Sequence, residues 1–211
     1  MKKLVIAFAL FIGVIILTSI IWRFLSQRIH LPCPSWLHWL VELDNPFARA
    51  CHAKVIIENL DLAPNMKVLD VGAGSGRVTI PLAQALREKG QVTAMDIQQG
   101  MLDVIQEKAQ KKNIHNIRLL QAGVGSGALE HNYYDRVVLV MVLGEIPDQR
   151  AALQEIYNAL KPGGILSISE SIFDPHFQSK KSVIALAQSI GFHEKKFFGY
   201  WFAYTIQFKK Q

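Results

Sequence analysis

From residue 45 onwards, short apolar stretches alternate with stretches of helical pattern, and this alternation limits the chain to few folds. Two of the apolar stretches, VVLVMV and ILSIS, are too short for helices and do not alternate strictly between apolar and polar residues. This pattern is typical of strands that are buried on both faces, as in a parallel sheet with crossover helices on either side. The sequence therefore predicts an α/β fold.

The predicted elements follow one another at short intervals, with Gly and Pro residues at their ends. Helices are predicted over residues 46–60, 77–89, 100–112, 148–160 and 179–190. Strands are predicted over residues 67–71, 91–96, 117–122, 136–141, 165–169, 193–198 and 201–209. Because only Gly199 and Tyr200 separate the last two strands, these two strands must pair antiparallel.

The first 23 residues differ from the rest of the chain. They contain LVIAFALFIGVIILTSIIW, a run of nineteen residues without a charge. As a helix this run would be about 28 Å long, close to the hydrocarbon thickness of a bilayer. A cleaved signal peptide is the alternative, but the run ends in bulky residues rather than in a small-residue cleavage site. We therefore expect a transmembrane helix at residues 1–23.

Residues 24–44 have the composition of a segment at a membrane surface. Trp36 and Trp39 stand among apolar residues, with Arg28 and His38 nearby. Tryptophan suits the headgroup region, where one edge of the ring is wet and its face is apolar. Burial of these tryptophans in a soluble core is the alternative. Positive charges lie on both sides of the predicted anchor, so charge does not orient the chain.

The segment VLDVGAGSGRVT, residues 68–79, runs from an apolar strand into a loop with three glycines. In an open parallel sheet, ligands bind beyond the carboxyl ends of the strands, where the strand order reverses. The loop lacks the lysine of a phosphate-binding P-loop. Its spacing is also G-x-G-x-G rather than the G-x-G-x-x-G of dinucleotide-binding folds. The loop therefore predicts a nucleoside ligand of another kind.

Two carboxylates near this loop indicate which nucleoside ligand the loop binds. Asp70 lies inside the strand, where it would repel a pyrophosphate but attract the ammonium and sulfonium groups of S-adenosylmethionine. Asp96 ends the next strand, twenty residues after Gly76, where it can accept hydrogen bonds from both ribose hydroxyls. NAD-binding folds share this second feature, so Asp70 is the residue that favours S-adenosylmethionine.

The chain resembles the class I S-adenosylmethionine-dependent methyltransferases over about residues 45–211. The matching elements are, in order, VLDVGAGSGRVT, VTAMDI, YYDRVVLVMVLGEIPD, ALKPGGILSISE and the closing hairpin. The resemblance implies a Rossmann-like seven-stranded sheet of order 3-2-1-4-5-7-6, with its last strand antiparallel. It is strongest to the small-molecule and lipid-type members, and ubiquinone-type C-methyltransferases are relatives in pattern.

The chain departs from the family pattern in two places. It has LGEIPD where many amino-group methyltransferases of nucleic acids and proteins carry Asn/Asp-Pro-Pro-Tyr/Phe. It also has no acidic residue in LLQAGVGSG after the third strand, so backbone groups near Ala122 and Gly123 are expected to hold the adenine. The residues predicted to bind S-adenosylmethionine are Asp70, Gly72, Ala73, Gly74, Ser75, Gly76, Asp96, Ile97, Met101, Ala122, Gly123 and Met141.

Five residues are candidates for the acceptor side of the site. Glu145 and His176 are the candidate proton acceptors in catalysis. Glu145 could equally be an acid at a helix N-terminus, and His176 a solvated loop histidine. Glu145, Glu170, Tyr200 and Trp201 are predicted to contact the substrate, with hairpin packing as the alternative for the two aromatic residues.

Composition and charge exclude other classes of function. The net charge of +6 is spread along the chain without a run of basic and aromatic residues, so no nucleic-acid partner is expected. The histidines and cysteines lack metal-site spacing, so no metal is expected.

We therefore expect a single-pass membrane methyltransferase that uses S-adenosylmethionine. Its catalytic domain, residues 45–211, would face the cytoplasm and methylate a lipophilic acceptor, with the lipid bilayer as a partner. The alternatives are methylation of a membrane protein, a cofactor-binding scaffold without turnover and, less favoured, an NAD-dependent dehydrogenase.

Overall fold

The computed structural model describes residues 45–211 and eight helical residues before them. These eight are Ile6, Phe8, Phe11, Gly13, Val14, Leu17, Thr18 and Ile21. The predicted anchor at residues 1–23 otherwise lies outside the described residues, as does the whole predicted interfacial segment at residues 24–44.

The prediction of a membrane location is wrong. Within the part of the chain that the structure describes, no helix combines the length and the apolar character needed to cross a bilayer. The predicted location, a single-pass membrane protein with its catalytic domain held at a lipid bilayer and facing the cytoplasm, is therefore withdrawn.

A seven-stranded sheet of order β3-β2-β1-β4-β5-β7-β6 runs through residues 45–211. The strands β1 to β5 pair in parallel, and β7 pairs antiparallel with both β5 and β6. The predicted strand order and the antiparallel closing hairpin are confirmed. The strands are β1 Lys67–Val71, β2 Gln91–Asp96, β3 Ile117–Gln121, β4 Tyr134–Val140, β5 Leu160–Ser171, β6 His193–Tyr200 and β7 Ala203–Lys209.

Five α-helices accompany the sheet in residues 45–211: α1 Ala53–Glu58, α2 Thr79–Leu86, α3 Gln99–Lys111, α4 Gln149–Ala159 and α5 Lys180–Ile190. Three 3-10 helices span Arg49–Cys51, Arg87–Lys89 and Leu143–Glu145. Side-chain caps begin the last two α-helices: Asp148 accepts from Ala151 N at 2.9 Å, and Ser179 accepts from Ser182 N at 3.2 Å.

The central strands β1, β2 and β4 are buried on both faces, whereas β3 is partly buried and β6 is largely exposed. Val68 of β1 packs in one core cluster with residues of α1 and α2, whereas Leu69 packs in another with residues of α4 and α5. Because successive side chains of a strand point to opposite faces, the two clusters lie on the two sides of the sheet. This arrangement leaves the carboxyl ends of the strands as the place where a ligand can reach the sheet.

The prediction of one helix over residues 46–60 is wrong. The chain forms a turn, the 3-10 helix Arg49–Cys51 and then α1, with His52 extended at φ −70° and ψ 136°. Two contacts compete with a continuous helix. Thr205 Oγ1 of β7 donates to the Ala50 carbonyl at 2.7 Å, and His52 Nε2 lies 2.8 Å from the Asn45 carbonyl.

Arg136 of β4 connects the segment after α1 to the sheet through two hydrogen bonds. Its side chain is buried, with Nε donating to the Leu60 carbonyl at 2.7 Å and Nη2 to the Asp61 carbonyl at 2.9 Å. Since a charged donor satisfies both carbonyls, its loss leaves them unpaired in a partly buried place.

We expect Arg136→Met to lower the free energy of unfolding by about 3 kcal/mol, measured by urea denaturation. Arg118→Met is the matched control, because Arg118 forms an exposed ion pair with Glu130 at 2.7 Å. This control should cost less than about 1 kcal/mol. Equal losses in the two variants would contradict the role given to Arg136.

Candidate functional site

A cavity of about 680 Å³ opens at the carboxyl ends of the parallel strands. It lies where the strand order reverses, between β1 and β4, and the loops after β1, β2, β3, β4 and β5 contribute to its wall. This is the position at which open α/β sheets bind ligands.

The glycine loop after β1 forms the floor of the cavity and is closely packed from both sides. Gly72 has φ +64°, and a Cβ atom there would lie 2.5 Å from Cγ2 of Val142, which follows β4. Gly76 has φ +87°, and a Cβ atom there would lie 3.0 Å from Cγ1 of Ile105 on α3. The first glycine thus permits the approach of two strand ends, and the third permits the approach of a helix.

Two acidic side chains border this loop. Asp70 is 2% exposed and accepts a hydrogen bond from Thr79 Oγ1 at 2.6 Å. Burial raises the pKa of Asp70 to about 7, and the hydrogen bond from Thr79 opposes that shift. Asp96 accepts from Gly74 N and from Gln98 N, both at 2.9 Å, and burial raises its pKa as well. A cationic ligand in the cavity would stabilise both carboxylates.

A second acidic group lies on the far side of the cavity, beyond β4 and β5. Glu145 Oε1 and Asp174 Oδ1 each lie 3.7 Å from Nδ1 of His176. Burial, together with the charges of Asp174 and Asp96, raises the pKa of Glu145 to about 8. The cavity lining therefore combines acidic side chains of β1 and β2 with acidic side chains that follow β4 and β5.

Two exposed aromatic residues lie near the mouth of the cavity. Phe47 is 72% exposed and Phe173 is 56% exposed, and their ring centroids are 6.4 Å apart. Phe173 also lines the cavity, and Val124, Ile146 and Pro147 extend the apolar lining. An apolar molecule could therefore enter beside Phe173 and remain in contact with protein.

Most of the residues predicted from the sequence lie around this cavity. Its lining includes Asp70, Gly72, Ala73, Gly74, Ser75, Asp96, Ile97, Met101, Ala122, Gly123, Met141, Glu145 and His176. Gly76, Glu170, Tyr200 and Trp201 are not among the described residues of the lining. Glu170 is 1% exposed, and its Oε2 accepts from Gln178 N at 3.0 Å. Tyr200 and Trp201 are 70% and 74% exposed, and both rings pack against Phe202.

Sequence reasoning missed several residues of the lining, namely Asn45, His52, Arg77, Val142, Phe173 and Asp174. His52 lay inside a predicted helix, so nothing in its local pattern indicated a ligand. Asp174 stands two residues before the candidate His176 in DPHFQ, and that proximity is the signal that could have found it.

Residues 68–164 match the family model described as a methyltransferase domain. Over about half of its length the chain is thus similar to methyltransferases. The match includes the glycine loop, Asp70, Asp96 and Glu145, and S-adenosylmethionine is the cofactor of this domain.

Two relatives are similar over about half of the chain. Ubiquinone/menaquinone biosynthesis C-methyltransferase UbiE of Shewanella piezotolerans is 37% identical over 115 residues, which are 54% of this chain and 46% of that protein. Demethylmenaquinone methyltransferase of Staphylococcus epidermidis is 32% identical over 118 residues, which are 56% of this chain and 48% of that protein. The chain thus spans about half the length of these relatives.

Solved structures agree with the fold. A SAM dependent methyltransferase from Aquifex aeolicus has a TM-score of 0.75 at 20% identity, over 85% of this chain and 100% of that one. The arsenic(III) S-adenosylmethionine methyltransferase of Chlamydomonas reinhardtii has a TM-score of 0.59 at 22% identity, over 80% of this chain and 74% of that one. At these identities the likeness concerns the fold alone.

Among the described residues, no three His, Cys, Asp or Glu side chains are grouped to hold a metal ion.

The buried carboxyls predict how stability depends on pH. Burial raises the pKa of Asp70 to about 7 and that of Glu170 to about 8. The native state therefore holds protons that the unfolded chain releases above about pH 4. The stability that these groups contribute is fully present below about pH 4 and is lost as the pH rises through 7 to 8.

We expect the free energy of unfolding of the cofactor-free protein to fall by about 1 kcal/mol per pH unit and per carboxyl between pH 5 and 7. Urea denaturation across this range measures the slope, and Glu170→Gln should remove the share of Glu170. Asp103→Asn, exposed on α3, is the control and should retain the full slope. An unchanged slope in the Glu170 variant would disprove the buried proton.

Proposed function

We propose that residues 45–211 act as one catalytic domain that transfers a methyl group from S-adenosylmethionine to a lipophilic small molecule with a quinone-type ring. The observation that carries the proposal is the cavity at the strand-order reversal, with Asp70 and Asp96 beside a closely packed glycine loop and an apolar wall opposite. The cofactor would occupy the side of the cavity at the glycine loop, and the acceptor would occupy the side lined by the loops after β4 and β5.

The charge and packing of the glycine-loop end support the cofactor assignment. A buried Asp70 carboxylate attracts the ammonium and sulfonium groups, and their charge favours its ionised form. Asp96 already accepts backbone hydrogen bonds from Gly74 and Gln98, which orient its carboxylate. Asp96 also lines the cavity, which supports its assignment to the ribose hydroxyls. Backbone groups at Ala122 and Gly123 line the same end and are assigned to the adenine.

The opposite end of the cavity supports an apolar acceptor. Ile146, Pro147 and Phe173 line it, and Phe47 lies beside Phe173 near the mouth. Apolar lining with a few polar groups is typical of sites for lipophilic small molecules. The names of the two relatives point to quinone-type rings as the first acceptors to test.

Binding and turnover can be tested separately with the full chain. Calorimetry with S-adenosylhomocysteine and with NAD⁺ measures which nucleoside binds, and we expect only the former. The transfer of labelled methyl from S-adenosylmethionine to 2-prenyl-1,4-naphthoquinol then tests the acceptor class. Binding of NAD⁺ alone would refute the proposal. Binding of S-adenosylhomocysteine without label in any lipophilic fraction would instead favour a cofactor-binding scaffold.

Replacement of Asp96 tests the ribose assignment. We expect Asp96→Asn to raise the dissociation constant of S-adenosylhomocysteine by about tenfold to a hundredfold, because charge-assisted hydrogen bonds to the ribose are lost. Calorimetry measures the change, and Asp103→Asn on the exposed side of α3 is the matched control. Equal affinities in the Asp96 variant and the native protein would show that the ribose binds elsewhere.

A further inference from the structure

His176 is a buried side chain that is incompletely satisfied by the protein around it. Its side chain is 5% exposed and lines the cavity. Neither ring nitrogen has a hydrogen-bond partner among the described residues. Burial of polar atoms without partners is costly, and such atoms in native proteins call for an explanation. The position of His176 in the cavity wall suggests that a bound molecule supplies the missing partner.

Gly144 determines how close His176 comes to Glu145. A Cβ atom at position 144 would lie 1.8 Å from the His176 carbonyl oxygen, so only glycine allows the loop after β5 to rest on the 3-10 helix Leu143–Glu145. Two hydrogen bonds within the loop after β5 also fix its conformation. Asp174 Oδ1 accepts from His176 N at 2.7 Å, and Gln178 Nε2 donates to the His176 carbonyl at 2.9 Å.

This packing gives the two ring nitrogens of His176 different surroundings. Nδ1 lies 3.7 Å from a carboxyl oxygen of both Glu145 and Asp174, and an ionised Asp174 carboxylate favours a proton on Nδ1. Nε2 is left as the acceptor of that tautomer. Carboxyl groups near one ring nitrogen, with the other nitrogen available to a bound molecule, resemble the surroundings of histidines that act as general bases.

The charges around His176 restrict the kind of acceptor. The acidic groups on this side of the cavity are Glu145 after β4, Asp174 after β5 and, behind the wall, Glu170 of β5, with Asp96 across the cavity. The basic side chains of the described lining, apart from His176, are those of Arg77 and His52. Arg77 Nη1 donates to the Cys51 carbonyl at 3.1 Å. An acceptor that carries a carboxylate or phosphate would therefore meet several acids.

We propose that His176 is the catalytic base of the acceptor subsite, that Gly144 and Asp174 are positioning residues, and that the subsite takes a neutral molecule with a phenolic or enolic hydroxyl. This inference rests on the proposed methyl transfer. It narrows the lipophilic acceptor to one that can donate a hydrogen bond, and then a proton, to Nε2.

The chemistry of this step balances. The O–H bond of the acceptor breaks, and its proton moves to His176 Nε2. The electron pair left on the oxygen, or on a ring carbon conjugated with it, forms the bond to the methyl carbon. The S–CH₃ bond breaks, its electron pair stays on sulfur, and S-adenosylhomocysteine results. If carbon is methylated, the proton of that carbon leaves and the hydroxyl is restored, so either course releases one proton.

The test compares two probes that differ by one hydroxyl, 2-naphthol and naphthalene. Calorimetry on the full chain, saturated with S-adenosylhomocysteine, should show that 2-naphthol binds at least tenfold more tightly. His176→Phe should bind the two probes within about twofold of each other, with its affinity for S-adenosylhomocysteine unchanged. His193→Phe is the matched control, since His193 is exposed on β6, and it should retain the preference.

Further variants separate positioning from folding. Gly144→Ala should lose the preference for 2-naphthol because the added methyl group displaces the His176 loop, and Asp174→Asn should reduce it. Should Gly144→Ala fail to fold by circular dichroism, Asp174→Asn decides the role of the loop. His176→Gln keeps a polar group but no base, so it should retain part of the preference and lose methyl transfer to 2-prenyl-1,4-naphthoquinol.

The outcomes distinguish this inference from the proposed function. If S-adenosylhomocysteine does not bind the native protein, the proposed function is refuted. If S-adenosylhomocysteine binds but the two probes bind equally, or if His176→Phe keeps the preference for 2-naphthol, the proposed function stands and the hydroxyl-specific base is refuted.

Discussion

The contact between the loop after β1 and the segment after β4 controls the geometry of the whole site. Gly72 approaches Val142 so closely that no side chain larger than hydrogen fits without displacement. On the other side of this contact Met141 adopts φ +58°, a conformation that is uncommon for residues other than glycine. Its N–H donates to the Ser169 carbonyl of β5 at 2.8 Å, which holds the strained residue in place. The ends of three strands are thus fixed relative to one another.

Carboxyl groups buried around this fixed frame give the site its electrostatic character. Asp70 and Glu145 both line the cavity, and burial raises the pKa of both. A protein stabilised only by its own contacts gains nothing from such groups, because each ionised carboxylate is poorly solvated. A cation bound in the cavity reverses this balance at Asp70. Binding of a cation would therefore restore the stability that the buried Asp70 carboxylate costs the cofactor-free protein.

Much of the fold follows from local sequence, but the connections at its edges do not. The predicted bounds of β1 and β2 agree with the structure, because both strands are short, apolar and fully enclosed. β5 was expected at residue 165 but begins at Leu160. Backbone hydrogen bonds from Gly163 N to the Lys210 carbonyl and from Lys210 N to the Gly164 carbonyl, both at 3.0 Å, extend the pairing through a segment that looked like a loop.

The sequence by itself determined the class of fold, and it predicted which residues near the glycine loop line the cavity. A buried strand, a glycine loop and two carboxylates lie within thirty residues, so their spacing along the chain carries their spacing in space. The acceptor end was decided only by tertiary structure. Gly144, Glu145, Asp174 and His176 come from loops after two different strands, and they meet because parallel pairing brings those strand ends together. No local pattern encodes that meeting, because it depends on the packing of one loop against another.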